Sequence, residues 1–368
     1  MTRSDPPATL RTMAVGDART TSPIDRELLD PLPQEAGPGQ PGTSTAAYRR
    51  LGRLQRLALL PPNFFAIPFG IAGLAVTWRV AASSLDTPGW IADALFVLAA
   101  VIWSVLTAGL VLRLARTPRA VADELRDPVL SPFMALPPII VLLLAAGLQP
   151  HARSATIALM VLALAVTLPL GGWLTARWMT GATSLGVVHP AYFLPTVAGG
   201  FLVANVAGNL GFEALGWLGF GIGLICWMQL GSVILNRLFT GPPLPTALVP
   251  TLAIEVAPPA VAGNAYFALH HGPADPLLYA LGGFCVLTVA VQVALVPTFR
   301  SVPFGVTSWA FTFSYTAVAT FALHWLALVD LAGEVWVGGA VLAAVTGLVV
   351  VIAAKSLRAI GARRFFPA

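Results

Sequence analysis

A polar stretch gives way near residue 60 to apolar segments separated by short polar breaks. Ten segments of about 20 residues can be drawn, each long enough to cross a bilayer as a helix. They cover about 60–80, 91–113, 130–149, 154–176, 188–208, 212–235, 246–269, 276–298, 304–327 and 335–355. Short loops between them predict antiparallel neighbours. Proline sorts by parity. The odd segments carry Pro61, Pro62 and Pro68, then Pro132, Pro137 and Pro138, then Pro190 and Pro195, then Pro250, Pro258 and Pro259, with Pro303 leading into the ninth. Inside the even segments the exceptions are Pro169 and Pro297, with Pro276 as the first residue of the eighth.

Proline inside a helix frees backbone groups that lipid cannot satisfy. Interrupted helices therefore belong where protein or a wet cavity surrounds them. The alternation predicts an all-α membrane protein: ten transmembrane helices, as five helical hairpins in a ring, with the odd-numbered helices lining a central pore. Odd segments recur every 55–70 residues or so, consistent with a repeated hairpin. Candidate lining positions on the odd segments are Phe64, Phe65, Gly70, Phe133, Pro195, Glu255 and Pro258.

Composition agrees. Apolar residues make up 57% of the chain and charged residues 10%, far from a soluble domain. The charges fall at segment ends, which reads as membrane topology and not as a nucleic-acid surface. Arg49, Arg50, Arg53, Arg56, Arg113, Arg116, Arg119, Arg126, Arg177, Arg237, Arg300, Lys355, Arg358, Arg363 and Arg364 share one side if there are ten crossings. The other side has Arg79 and Arg153 among several acids. Both termini are expected in the cytoplasm, with the chain multi-pass in the inner or plasma membrane. Residues 1–55 read as a disordered cytoplasmic tail without a signal peptide. Residues 56–358 read as the ten-helix domain, and 359–368 as a short basic cytoplasmic tail.

Enzyme motifs are absent: no P-loop, no paired aspartate-rich motif and no HExxH. Cys226 and Cys285 form no CxxC pair. His151, His189, His270, His271 and His324 all sit near segment ends, where an interfacial role is expected. His270, His271 and Asp275 make only a weak metal set, so neither a metal nor a cofactor is expected. Glu255 stands in mid-segment, where a carboxylate costs several kcal/mol unless paired, hydrated or protonated. Two readings stand. It faces the path and handles protons, or it is structural, accepting hydrogen bonds from backbone freed at Pro258 and Pro259 or meeting a group on a neighbouring helix. Arg79 also has two readings, an anion-attracting outer vestibule or a snorkelling anchor. Asp93 suits a helix start.

Three stretches carry a resemblance: Phe65–Ala75 running into Trp78 and Arg79, Leu244–Ala262, and Trp309–Phe313. Over roughly 60–360 the chain resembles the tellurite-resistance/dicarboxylate transporter family, of the TehA and plant slow anion channel type. The resemblance implies five hairpins around a pore in each subunit of a homotrimer, with small inorganic or organic anions and the lipid bilayer as partners. It implies a phenylalanine gate on the ninth helix, carried to Phe313 with Phe311 as the fallback. Ser314 stands where proline often follows the gate, so a less kinked ninth helix is expected. The activity implied is passive anion conduction. A proton-coupled carrier of a C4-dicarboxylate, sulfite or tellurite-type oxyanion is the alternative.

Overall fold

The computed structural model of the protein describes residues 60–329, 333–362 and 365. The tail expected over 1–55, and residues 363, 364 and 366–368 of the expected C-terminal tail, lie outside the described residues. The described chain is all-α, with ten helices long and apolar enough to cross a membrane. These are α1 (Pro62–Ser84), α2 (Gly89–Arg116), α3 (Ser131–Leu148), α4 (Arg153–Met179), α5 (Pro190–Asn209), α6 (Glu213–Thr240), α7 (Val249–Leu269), α8 (Pro276–Ala294), α9 (Val306–Val329) and α10 (Glu334–Gly361). A short helix, Pro118–Arg126, bridges α2 and α3.

Parity separates burial as well as proline. The odd helices are 44–89% buried and the even ones 22–28%. The even helices expose Trp90, Leu98, Leu162, Leu218, Val286 and Val350, the outward face expected of helices in lipid. Pro169 sits on the exposed face of α4.

Each odd helix opens with a tighter 3₁₀ stretch before the α-helix begins. These stretches are Pro62–Phe65, Ser131–Ala135, Pro190–Phe193, Val249–Val256 and Val306–Trp309. In α5 a π-helical turn, Leu194–Ala198, follows. The internal prolines cluster in the first turn after the junction. Pro68 is third in the segment starting at Ala66, and Pro137 and Pro138 are second and third in the one starting at Leu136. Pro258 and Pro259 hold the same places in the one starting at Ala257. The first turn needs no intrahelical N–H, so proline there sets the start of the α segment and leaves the rest straight. In α9, which lacks such a proline, the Thr312 hydroxyl donates to the Trp309 carbonyl at 2.7 Å across the junction.

Neighbouring side chains donate into the interrupted stretches. The Trp103 indole meets the Pro137 carbonyl at 2.9 Å, and the Gln292 amide meets that of Leu252 at 2.9 Å. His189, just before α5, gives Nε2 to the Val129 carbonyl at 3.1 Å, and burial pushes its pKa down to about 4. Two arginines expected only to mark topology are buried staples. Arg113 donates to the Leu60 carbonyl at 2.7 Å and pairs with Glu124. Arg237 donates to the Gly186 and Pro242 carbonyls at 3.2 and 2.6 Å.

The odd helices pack on one another in sequence, α1 on α3, α3 on α5, α5 on α7, α7 on α9 and α9 on α1. The α1–α9 contact is a seam of small residues at helical spacing. A Cβ on Gly70 would fall 1.7 Å from Thr312 Oγ1, and one on Gly73 2.5 Å from Thr316 Oγ1. Beyond them Thr77 Oγ1 lies 3.1 Å from the Thr316 carbonyl and 2.9 Å from Thr320 Oγ1. Small residues that let backbones approach are a main source of helix affinity in lipid.

The α5–α6 contact sets backbone against backbone. A Cβ on Gly200 would sit 2.6 Å from the Gly223 nitrogen and 2.7 Å from the Gly219 carbonyl. Backbone cannot step aside as a side chain can. Gly200→Ala is therefore expected to cost about 1–3 kcal/mol, read as a lower melting temperature of the purified protein. Gly221→Ala, which meets open space, is the control and is expected to be neutral or mildly stabilising.

Candidate functional site

Two cavities lie among the five interrupted helices, the second also against Phe96 of α2, and one aromatic ring lines both. The first lies toward the 3₁₀ ends of the odd helices, the arginine-rich side. Its volume is ≈ 50 Å³, and all five odd helices and no even helix line it. Ala66, Leu136, Ala257 and Ala310, each the first residue of an α segment, are in its wall, and Ala198, just before the fifth, completes the set. The positive ends of five helix dipoles are thus brought to one apolar chamber. Ser314 is its lone hydroxyl, and that group donates to the Ala310 carbonyl at 2.9 Å.

The second cavity, on the far side, has a volume of ≈ 200 Å³. Its wall is mixed: among apolar residues stand Arg79, Gln149, Asn205, Asn209, Asn264, Thr320 and His324, so it is the more polar of the two. Arg79 pairs with Asp93, and His151 Nε2 stands 2.9 Å from the same carboxylate oxygen. The Asn264 amide donates to the Ala317 carbonyl at 3.0 Å, so its oxygen faces His324 Nδ1 at 3.1 Å.

Phe313 and Val261 line both cavities. The Phe313 ring is 9% exposed and lies flat on Phe69, with centroids 3.7 Å apart and planes 20° from parallel. A Cβ on Gly73 would come within 3.0 Å of Phe313 Cδ2, so glycine there lets the ring settle against α1.

The sequence-expected residues divide. Phe133, Pro258 and Phe313 line the apolar cavity, and Arg79 lines the polar one. Phe311 does not reach either cavity. Two residues along a helix is a rotation of about 200°, and Phe311 packs on Phe299 and Tyr315 instead. Phe64 is buried edge-on against Phe365, and Phe65 is buried in the core. Gly70 belongs to the α1–α9 seam. Pro195 lines a lipid-side groove between α4 and α6.

Glu255 also faces away from both cavities. With three residues per 3₁₀ turn, Ile254 and Ala257 share the cavity face. Glu255 is turned toward a groove between α6 and α8, beside Gln292. It is off the cavities and so off the path, and it stands beside Gln292 of a neighbouring helix, with its Oε1 buried without a hydrogen-bond partner among the described residues. Asp93 is an ion-pair partner, not merely a helix-start residue. His324 is part of the polar cavity and not an interfacial residue. His270 Nε2 lies 3.0 Å from the Pro273 carbonyl. Asp275 caps α8, where the Tyr266 hydroxyl and then the Leu278 N–H hold its carboxyl below the usual range. Among the described residues no group of three metal-ligating side chains gathers. Sequence reasoning missed Phe69, although its spacing of four from Gly73 puts both on one helix face.

A family model described as a voltage-dependent anion channel, SLAC1, matches residues 59–357. A tellurite resistance protein TehA homolog of Haemophilus influenzae is 28% identical over 264 residues, 72% of this chain and 80% of that protein. The S-type anion channel SLAH3 of Arabidopsis thaliana is 27% identical over 285 residues, 73% of this chain and 43% of the plant protein. SLAH2 of the same plant is 30% identical over 207 residues, 55% of this chain and 39% of its own. The chain therefore spans less than half the length of both plant relatives.

An orphaned acceptor in an apolar groove costs about 1–3 kcal/mol. Glu255→Leu is expected to raise the melting temperature of the purified protein by a corresponding amount. A fall instead would mean that the carboxyl has a partner it cannot lose.

Proposed function

We propose that this chain, which belongs to the voltage-dependent anion channel family, is a passive anion channel with Phe313 as its gate. The family supports anion transport or channel activity, in a multi-pass membrane protein. The finer reading rests on one observation: Phe313 is the ring at which an apolar and a polar cavity meet. The five odd helices are taken as a ring around this axis, supported by their successive contacts.

On this reading the path runs from the arginine-rich side, placed in the cytoplasm by the positive-inside rule, to the outside. The polar cavity is then an outer vestibule, and Arg79 its fixed positive charge. In the apolar chamber, dipole ends favour an anion without a charged side chain to trap it. The stacked Phe69 and Phe313 rings block passage by bulk and by excluding water. Such a pore sorts small anions by ease of dehydration. Each subunit, in a proposed homotrimer in the inner or plasma membrane, carries its own path. No cofactor or catalytic step enters the reading.

A proton-coupled carrier is the second reading, favoured by a titratable side chain, His324, in the polar cavity. In proteoliposomes the reversal potential of a channel ignores a pH gradient, whereas that of a carrier shifts with it.

Phe313→Ala is expected to raise anion current in planar bilayers by on the order of tenfold or more, by opening the narrowest point. An unchanged current would remove the gate assignment.

A further inference from the structure

We propose that the polar cavity holds a binding site for a small monovalent oxyanion, built by His324 and Arg79, and that the anion and a proton on His324 Nε2 bind together. The inference rests on the path proposed above and names a ligand site within it.

Two orientations carry it. The Asn264 side chain is fixed because its amide nitrogen donates to the Ala317 carbonyl at 3.0 Å, which leaves its oxygen for His324. Nδ1 of His324, 3.1 Å from that oxygen, must then carry the hydrogen. The neutral ring consequently presents Nε2 as a lone pair. Nε2 has no hydrogen-bond partner among the described residues, and the ring is part of the cavity wall. Taking one proton from water converts this nitrogen from acceptor to donor, and the ring from neutral to cationic. The N–H bond formed replaces an O–H bond of hydronium, and no bond between heavy atoms changes.

Arg79 is the other half of the site. Its Nη2 pairs with Asp93 and its Nε is buried, while Nη1 has no hydrogen-bond partner among the described residues. A guanidinium nitrogen left over in a residue that lines the cavity suits an oxyanion. The surroundings of His324 decide the sign. From α1 the cavity receives Arg79, a fixed positive charge, and from α5 and α7 the neutral Asn205 and Asn264. Phe267 packs on the ring at 5.0 Å, and Thr320 is its neighbour on α9. No carboxylate among the described residues lines the cavity. Asp93 stands behind Arg79, shared with His151. Two cations on the wall of one cavity repel, and an anion between them reduces that cost. Proton and anion therefore favour each other, a reciprocal coupling.

The test is nitrate binding to the full chain in detergent, by titration calorimetry, at pH 7.5 and pH 5.5. Nitrate is expected to bind about tenfold more tightly at the lower pH, and His324→Gln to reduce that ratio below about twofold. His324→Phe, which keeps the packing on Phe267, repeats the measurement should His324→Gln fold poorly. A wild-type affinity independent of pH, or the same pH ratio in the variants, would overturn the site. Bilayer currents of Phe313→Ala separate this from the channel reading. Coupled nitrate binding without passive current would leave the site and remove the channel. Passive current with pH-independent nitrate binding would leave the channel and remove the site.

Discussion

The seam between α1 and α9 sets the geometry of everything else. Gly70, Gly73 and Thr77 on one helix meet Thr312, Thr316 and Thr320 on the other. Nothing larger fits, since even a methyl at Gly70 would overlap a threonine oxygen. In a bilayer there is little hydrophobic gain from bringing two apolar helices together, so close backbone approach and interhelical hydrogen bonds must supply the affinity. That approach lays the Phe313 ring on Phe69, 3.7 Å away, and the two cavities meet there. A wider seam would part the rings.

The second constraint is hydrogen bonding in lipid. A helix may be interrupted only where protein or water can satisfy its backbone. All five interrupted helices are the buried ones, and even helices send Trp103 and Gln292 inward to meet their carbonyls. The interruptions lie at one end of every odd helix, so the α segments begin together around the apolar cavity. One end of the axis is therefore apolar, with a gathering of helix starts. The other carries amides, an arginine and a histidine among apolar residues. On the proposed reading, an anion moving along this axis meets dipoles at one end and side-chain donors at the other.

The sequence carried the architecture because its signals were strong and local. Length and hydropathy located ten helices, and proline parity separated buried from lipid-facing ones before any contact was known. Phe313, Phe133, Pro258 and Arg79 were also legible as cavity residues. Rotation about each helix was not. Glu255 lies one residue from Ile254, yet the 3₁₀ turn sends it to a lipid-side groove. Phe311 and Phe313 share chemistry, and only the rotation of α9 distinguishes them. Gly70 read as a lining position because small residues suit both a path and a seam. Phe64 read so because it lies near the start of an odd segment, but it packs on Phe365, far along the chain. His324 was hidden for another reason, since its role depends on Asn264 from a different helix.

The central claim is that the Phe69–Phe313 stack is the barrier between two compartments. Cysteines at Leu194, in the apolar cavity, and Ala317, in the polar one, test it with a small anionic thiol reagent added to one side of sealed vesicles. The background cysteines Cys226 and Cys285 are first replaced by serine. Leu194→Cys is expected to react only from the arginine-rich side and Ala317→Cys only from the other, with both sides reaching both positions once Phe313→Ala is added. Reaction of either cysteine from both sides with Phe313 in place, or sidedness that persists without the ring, would contradict the account.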